Sequence, residues 1–135
     1  TCESFGIDAI IISGHGIDPY DSKCISASRG TIFTIPIIKV LSNAEIEAFA
    51  QARSGDPGFH VYGSSARGEL DIRDATPTEG FLLIVGNETT GMAPYFCELS
   101  DSVLTIPIRG HASSLNIACA TSILLYELTR PNRDL

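Results

Sequence analysis

Two stretches near the C-terminal end combine residue types that could do chemistry. Phe81-Leu-Leu-Ile-Val-Gly-Asn-Glu-Thr-Thr-Gly91 and Val103-Leu-Thr-Ile-Pro-Ile-Arg-Gly-His-Ala-Ser-Ser-Leu-Asn116 each pass from a β-forming apolar run into glycine and small polar residues. Open α/β sheets bind ligands beyond the carboxyl ends of their strands, so both junctions are candidate walls of one crevice. In the first, Gly86 lets a backbone approach a ligand closely, Asn87 and Glu88 can hydrogen-bond hydroxyls or an amine, and Gly91 permits the turn toward the next helix. In the second, Pro107 removes a donor at the strand end and leaves main-chain groups beside Ile106 and Ile108 free. Gly110 opens the loop into a long helix that Ser113 or Ser114 is placed to cap, with Asn116 in its first turn. Apolar side chains beside unpaired main-chain groups suit a flat purine read through the backbone. Neither the GxGxxG spacing of a dinucleotide fold nor the lysine of a phosphate loop is present, which disfavours NAD and ATP.

Short apolar runs alternate with helix-like patterns upstream of these junctions, the pattern of a mainly parallel sheet flanked by helices. Strands are expected over residues 9–13, 32–37, 59–63, 81–85 and 103–106, with Ser64 at the end of the third. Their Ile and Val content fits strands buried on both faces. Helices are expected over residues 21–29, 43–52, 94–99 and 114–129. Asn43 is the expected cap of the second helix, and Gly30 and Gly55 are expected C-caps. The last helix carries Leu115, Ile117, Ala118, Ala120, Ile123, Leu124, Leu125 and Leu128, leaving almost no polar stripe. Such a helix must be covered on more than one side. A second copy of the chain is the expected cover, with Ala118 and Ala120 allowing close approach. Pro131 ends the helix.

The 135 residues are enough for one domain with one core. At 44% hydrophobic and 19% charged, and with no apolar run near the ~18 residues of a membrane span, the composition is that of a soluble, cytoplasmic protein with no membrane partner. Residues 1–6 read as the last turn of a helix with Gly6 at its C-cap, so the sequence starts as an excised domain would. Cys2, Cys24, Cys97 and Cys119 form no CxxC pair, and His15, His60 and His111 are scattered, so no metal site is expected. A net charge of −7 argues against gripping nucleic acid by bulk electrostatics. Any RNA contact falls to local cations, of which Arg109 beside Gly110 is the best placed, with Arg29, Arg67 and Arg73 as further candidates.

Val85-Gly-Asn-Glu-Thr-Thr-Gly-Met92 followed by Ile106-Pro-Ile-Arg-Gly-His-Ala-Ser-Ser-Leu-Asn116 resembles the second and third motifs of the SpoU-type (TrmH-like) RNA ribose 2'-O-methyltransferases of the SPOUT superfamily. Residues 1–6 resemble the tail of that family's first motif, and Ala27, Ser28, Gly30, Ile35 and Pro36 resemble the segment between its first two. The resemblance implies an α/β fold with a C-terminal deep trefoil knot, an exception to the rule that chains are unknotted. It also implies S-adenosylmethionine as cofactor, a homodimer through the C-terminal helix, and structured RNA (tRNA or rRNA) as substrate. Carried over by motif position, Gly86, Ile106 and Leu115 contact the cofactor, mainly through backbone groups. Asn87, Ile108 and Gly110 line the same cleft, with Ser64 beside it. Glu88, Ser114 and Asn116 are the polar residues around the reaction centre, where they orient the ribose and the loop.

The chain departs from the family pattern in three respects. The first motif's Asn and Arg, the latter the favoured activator of the hydroxyl, fall before Thr1, so residues 1–135 read as a catalytic domain missing its N-terminal start and any RNA-binding extension. Thr89 stands where Gly is frequent, and Ser26 where Arg is, which removes one candidate RNA contact. The alternative is a non-catalytic dimeric module that keeps the fold and binds RNA or protein.

Overall fold

In the computed structural model, residues 1–14, 16, 18–87 and 89–130 are described; His15, Glu88 and Pro131 lie outside the described residues. The chain divides into two compact units, Thr1–Phe49 and a second beginning at Ala50.

The first unit holds a two-stranded parallel sheet. Strand β1 (Ile10–Ser13) pairs with β2 (Ile37–Val40), Ile10 opposite Ile37 and Ser13 opposite Val40. Between them runs helix α1 (Ser22–Ser28), where the Asp21 side chain accepts from the Lys23 N–H at 2.9 Å as N-cap. The C-cap is Arg29, in the left-handed region at φ 54°; Gly30, expected there, follows at φ 85°. The apolar run over 32–37, expected as a strand, instead opens with a 3-10 turn, Thr31–Phe33. Hydroxyls decide this: Thr31 donates to the Ser28 carbonyl and Thr34 to the Thr31 carbonyl, both at 2.8 Å, giving the backbone a local alternative to a ladder. Pro36 then contributes its carbonyl to the Ile10 N–H at 2.9 Å, and the strand starts one residue later.

Helix α2 (Asn43–Ala52) follows, and the division between the units falls within it. Its cap is Ser42, not Asn43. Ser42 Oγ accepts from the Ala44 N–H at 3.1 Å, and Glu45 Oε1 reaches back to the Ser42 and Leu41 N–H groups at 3.3 and 3.2 Å, which is a capping box one residue upstream of the expected cap. The turn expected as the end of a helix at residues 1–6 is a 3-10 turn, Glu3–Phe5, closed by Gly6 at φ 68°.

The second unit carries a four-stranded sheet in the order β4-β6-β3-β5, formed by β3 (Phe59–Ser64), β4 (Leu70–Asp71), β5 (Gly80–Ile84) and β6 (Ser102–Thr105). Every pairing in it is parallel, Tyr62 lying opposite Leu83 on one side and Ser102 on the other. The carboxyl ends of β3, β5 and β6 therefore face the same way. Helix α3 (Pro94–Leu99) starts on Pro94, whose fixed φ suits a first helical position. Helix α4 is Ile117–Leu128, three residues shorter at its start than the 114–129 expected. Ser113 and Ser114 do not cap it. Asn116 does, its Oδ1 accepting from the Ala118 and Cys119 N–H groups at 2.9 and 3.4 Å.

The core of this unit joins Tyr62, Ile72, Ala75 and Leu104 of the sheet side to Leu124 and Leu128 of α4, with Phe81, Leu83 and Ile106 against them. Leu104 is 0% exposed, and burial of such a side chain contributes about 1.5–3 kcal/mol. Tyr62 keeps its hydroxyl satisfied by donating to the Thr76 carbonyl at 2.9 Å; burial, reinforced by the Asp101 charge, pushes its phenol above the ordinary range. Along α4, Leu124, Leu125 and Leu128 are buried while Ile123 and Tyr126 are exposed. Among the described residues no helix is long and apolar enough to cross a membrane.

Candidate functional site

The strand ends of the second unit converge on a cleft of about 540 Å³. Both junctions reach it: Gly86 and Asn87 from the exit of β5, Ile106 and Ile108 from the exit of β6. Ser114, Leu115 and Asn116 close it from the start of α4, and Ser64 lies at its edge from the end of β3. Eight of the ten expected cofactor and catalytic residues that lie in this unit thus meet in one place, the two others being Glu88, which lies outside the described residues, and Gly110. Gly110 sits in the same loop but not on the wall, exposed together with Arg109. Arg29 belongs to the first unit, where it ends α1.

The first junction is built around its own backbone. Asn87 and Gly91 exchange two main-chain hydrogen bonds, 3.2 and 3.0 Å long, which fold residues 87–91 into a tight loop with Gly91 at φ 70°. Asn87 Oδ1 accepts from the Thr89 and Thr90 N–H groups at 2.9 and 2.7 Å, and its Nδ2 donates to Thr90 Oγ1 at 2.7 Å. The side chain expected to bond a ligand is spent holding the loop, as Asn commonly is in turns. Gly86 lines the cleft, and its lack of a side chain has a further cause. A Cβ there would overlap the backbone of Gly91 and Met92, so the close approach that requires glycine is the chain against itself.

The second junction leaves main chain unused. Over residues 108–115, among the described residues, no main-chain to main-chain hydrogen bond forms. Apolar side chains border that free backbone, with Ile108 and Leu115 each more than a third exposed. A polar backbone edge beside an apolar face is what a purine ring requires of a wall, hydrogen bonds at its rim and apolar contact on its faces.

Part of the wall was not expected from sequence. Ala120, Thr121 and Leu124 line the cleft from α4, while Ala118 is exposed. Their signal was the small residue at 120 one turn after the Asn116 cap, where a helix start can approach a ligand. Ser65, Ala66 and Arg67 add the turn after β3. That turn is fastened to β6: the Ser65 N–H donates to the Leu104 carbonyl at 2.9 Å, and Thr105 Oγ1 donates to the Ala66 carbonyl at 3.3 Å. Glu69 Oε1 accepts from the Val103 N–H at 2.8 Å, and this bond holds its carboxyl below the usual carboxylate range. Asp71 lies low as well, chiefly because the Arg73 side chain donates to it. No cluster of His, Cys, Asp and Glu able to hold a metal occurs among the described residues.

A parallel sheet flanked by helices, with a glycine-closed loop and a free-backbone loop meeting at its strand ends, defines an α/β domain with a candidate ligand cleft. The family model of the SpoU rRNA Methylase family matches residues 1–126, and the chain belongs to that family. It is 36% identical over 132 residues to a 23S rRNA (uridine(2479)-2'-O)-methyltransferase of Streptomyces viridochromogenes, covering 96% of this chain and 46% of the relative. It is 30% identical over 128 residues to the 23S rRNA (guanosine(2553)-2'-O)-methyltransferase RlmP of Bacillus subtilis, covering 95% of this chain and 50% of the relative. Among solved structures, the SpoU methyltransferase AviRb from Streptomyces viridochromogenes in complex with AdoMet superposes with a TM-score of 0.86 at 34% identity, over 95% of this chain and 49% of that one. An AdoMet-bound rRNA methyltransferase from Sinorhizobium meliloti gives 0.80 at 29% identity, over 94% and 47%. The chain spans about half the length of the curated relatives it matches.

Proposed function

We propose that this domain binds S-adenosylmethionine in the cleft of the second unit and serves methyl transfer to a ribose 2'-hydroxyl of rRNA or tRNA. The observation that carries the reading is the convergence of both junctions on one cleft of about 540 Å³, a volume suited to a ligand of that size. Relatives named as 23S rRNA 2'-O-methyltransferases and neighbours with AdoMet bound support it. The wall fits the group, because Ile106, Ile108 and Leu115 offer an apolar face and residues 108–115 offer unpaired backbone for an adenine rim. Gly86 and Asn87 serve by shaping the loop, Ser64 borders the amino-acid arm, and Gly110 gives the 108–115 loop its freedom.

Bound there, S-adenosylmethionine supplies an electrophilic methyl group, and an in-line displacement needs the ribose oxygen held against it. Ser114 and Asn116 stand on that wall, and with Glu88, carried over from the family resemblance, they are the residues assigned to orienting the ribose. Asn116 Oδ1 is committed to capping α4, while its Nδ2 donates to nothing among the described residues and is free to orient a ribose. Arg109, exposed beside the cleft loop, and Arg29 supply local charge for phosphates of structured RNA in a domain of net charge −7. Cytoplasm is the compartment that suits such a substrate.

Two finer features belong to the same reading. The family resemblance supports a C-terminal segment threaded as a deep trefoil knot, which a backbone trace through experimental density would test. The exposed flank of α4, with Ala118, Cys119, Ile123 and Tyr126, supports a homodimer through this helix. Sedimentation at micromolar concentration should then give twice the chain mass, and a monomer would sink the dimer.

Calorimetry with S-adenosylmethionine tests the cleft itself. Leu115→Arg places a charged side chain on the apolar wall and should abolish the binding heat while leaving the fold intact, since Leu115 is 38% exposed. Equal heats for the two proteins would remove the assignment.

A further inference from the structure

Arginines of this chain divide by partner. Arg53 pairs with Asp56 at 3.1 Å and Arg73 with Asp71, while Arg130 faces Glu127 at 2.7 Å in an ion pair whose angle makes no hydrogen bond. Arg67 has no acidic partner among the described residues, and it lines the cleft. Every other described residue on that wall is uncharged. Arg67 is exposed and lines a cleft whose other described walls are uncharged, so its guanidinium, without a counter-charge, is available to an anionic group on the occupant.

The turn that carries it is rigid. Beyond the bonds that Ser65 and Ala66 make to β6, Ser65 Oγ accepts from the Arg67 N–H at 3.1 Å and the Ser65 carbonyl accepts from the Gly68 N–H at 3.1 Å. A Cβ on Gly68 would meet the Val103 carbonyl oxygen at 2.5 Å, so the turn is pressed onto β6 with no room to shift. The backbone under Arg67 is thus fixed before any ligand arrives, and only the side chain needs ordering. Two kinds of wall face the same space: Ile106, Ile108 and Leu115 suit a ring, while Ser64, Ser65 and Arg67 suit a polar, negatively charged end.

We propose that the Arg67 guanidinium pairs with the carboxylate at the amino-acid end of S-adenosylmethionine, so that the cleft selects adenosine thioethers and sulfoniums that keep that arm. This rests on the methyl-donor reading of the cleft. A carboxylate is favoured over an RNA phosphate because the cation is part of the wall of a cleft of small-molecule size, and the guanidinium fork matches a carboxylate in two bonds.

Calorimetry on the full chain with S-adenosylmethionine and with 5'-methylthioadenosine, which keeps the adenosine and the sulfur but lacks the amino-acid arm, separates the possibilities. Arg67→Gln should weaken S-adenosylmethionine about tenfold, the scale of one charge-assisted bond at a partly solvated site, and leave 5'-methylthioadenosine affinity unchanged. Arg67→Lys should recover part of the loss. An equal loss for both ligands would mean that the side chain only packs the cleft, and would overturn the inference. Unchanged affinity for both would overturn it as well, and a shallower salt dependence of RNA binding in the same variant would then assign Arg67 to a phosphate. Failure of the donor reading looks different, since the unmodified protein would then bind neither ligand.

Discussion

Gly86→Ala is the sharpest test of how the first junction is built. An added methyl would overlap the backbone of Gly91 and Met92, and neither is the loose end of a side chain that could swing away. Relief requires moving the two strands of the loop apart, at the expense of the Asn87–Gly91 hydrogen-bond pair of 3.2 and 3.0 Å. Overpacking at a fixed site costs about 1–3 kcal/mol, and each net hydrogen bond lost about 0.5–1.5 kcal/mol. With partial relaxation the sum is about 2–4 kcal/mol, a large share of the ~5–15 kcal/mol that holds a domain together. Urea unfolding followed by circular dichroism should show the midpoint falling by about 1–2 M, using a slope of ~1–3 kcal/mol/M. Gly110→Ala is the matched control, because a Cβ there meets nothing within 4 Å and its φ is not in the left-handed region. Its unfolding free energy should stay within about 0.5 kcal/mol of that of the unmodified protein. Equal midpoints for the two variants would refute the steric account of Gly86.

Asn116→Ala removes the cap of α4 and should cost about 0.5–2 kcal/mol of stability, with Asn116→Ser retaining most of it; an unchanged melting temperature in the Ala variant would mean that the two N–H groups find another acceptor. Acid should destabilise the second unit through Glu69 and Asp71, whose carboxyls both lie below their ordinary values in the folded chain. A depressed folded value means that the stabilisation is complete above the unfolded value of about 4 and is lost as pH falls through the folded one. Glu69→Gln should therefore lower the neutral plateau toward the acid value and flatten the acid limb, because the charge-dependent part of the Val103 bond is then missing at every pH. A limb of unchanged slope would show that the Val103 bond does not depend on the charge.

The site was legible in sequence wherever a strand ended in a residue whose chemistry is local. The apolar runs at 81–85 and 103–106 became β5 and β6 to within a residue or two, and the loops that follow them face one cleft. Parallel pairing explains why that works: runs buried on both faces read as continuous Ile, Leu and Val, and parallel strands put all their exits on one side. The run at 32–37 misled because the hydroxyls of Thr31 just before it and Thr34 inside it bond back to the backbone three residues earlier, a competition that an apolar pattern does not display. Caps shifted by one to three residues for a related reason. Ser42 in place of Asn43, and Asn116 in place of Ser113 or Ser114, are choices among adjacent residues of nearly equal capping strength, settled by where the packed face of each helix has to begin.

What sequence could not assign was the direction in which each residue's chemistry would be used. Glycine at 86 and asparagine at 87 were both read as facing a ligand, yet one is needed for the chain to pass itself and the other to close its own loop. Local spacing identifies a turn; it does not say whether the turn's free groups point outward or inward. The 108–115 loop shows the opposite case, since Pro107 already withholds one donor and no strand partner follows, so its unused backbone has nowhere to go but solvent or ligand. The proposed recognition of the adenine ring therefore rests on this unpaired main chain and not on the Asn87 side chain. A consequence for Asn87→Ala follows: its effect on donor binding should track its effect on the stability of the 87–91 loop, with no further loss once the loop is intact.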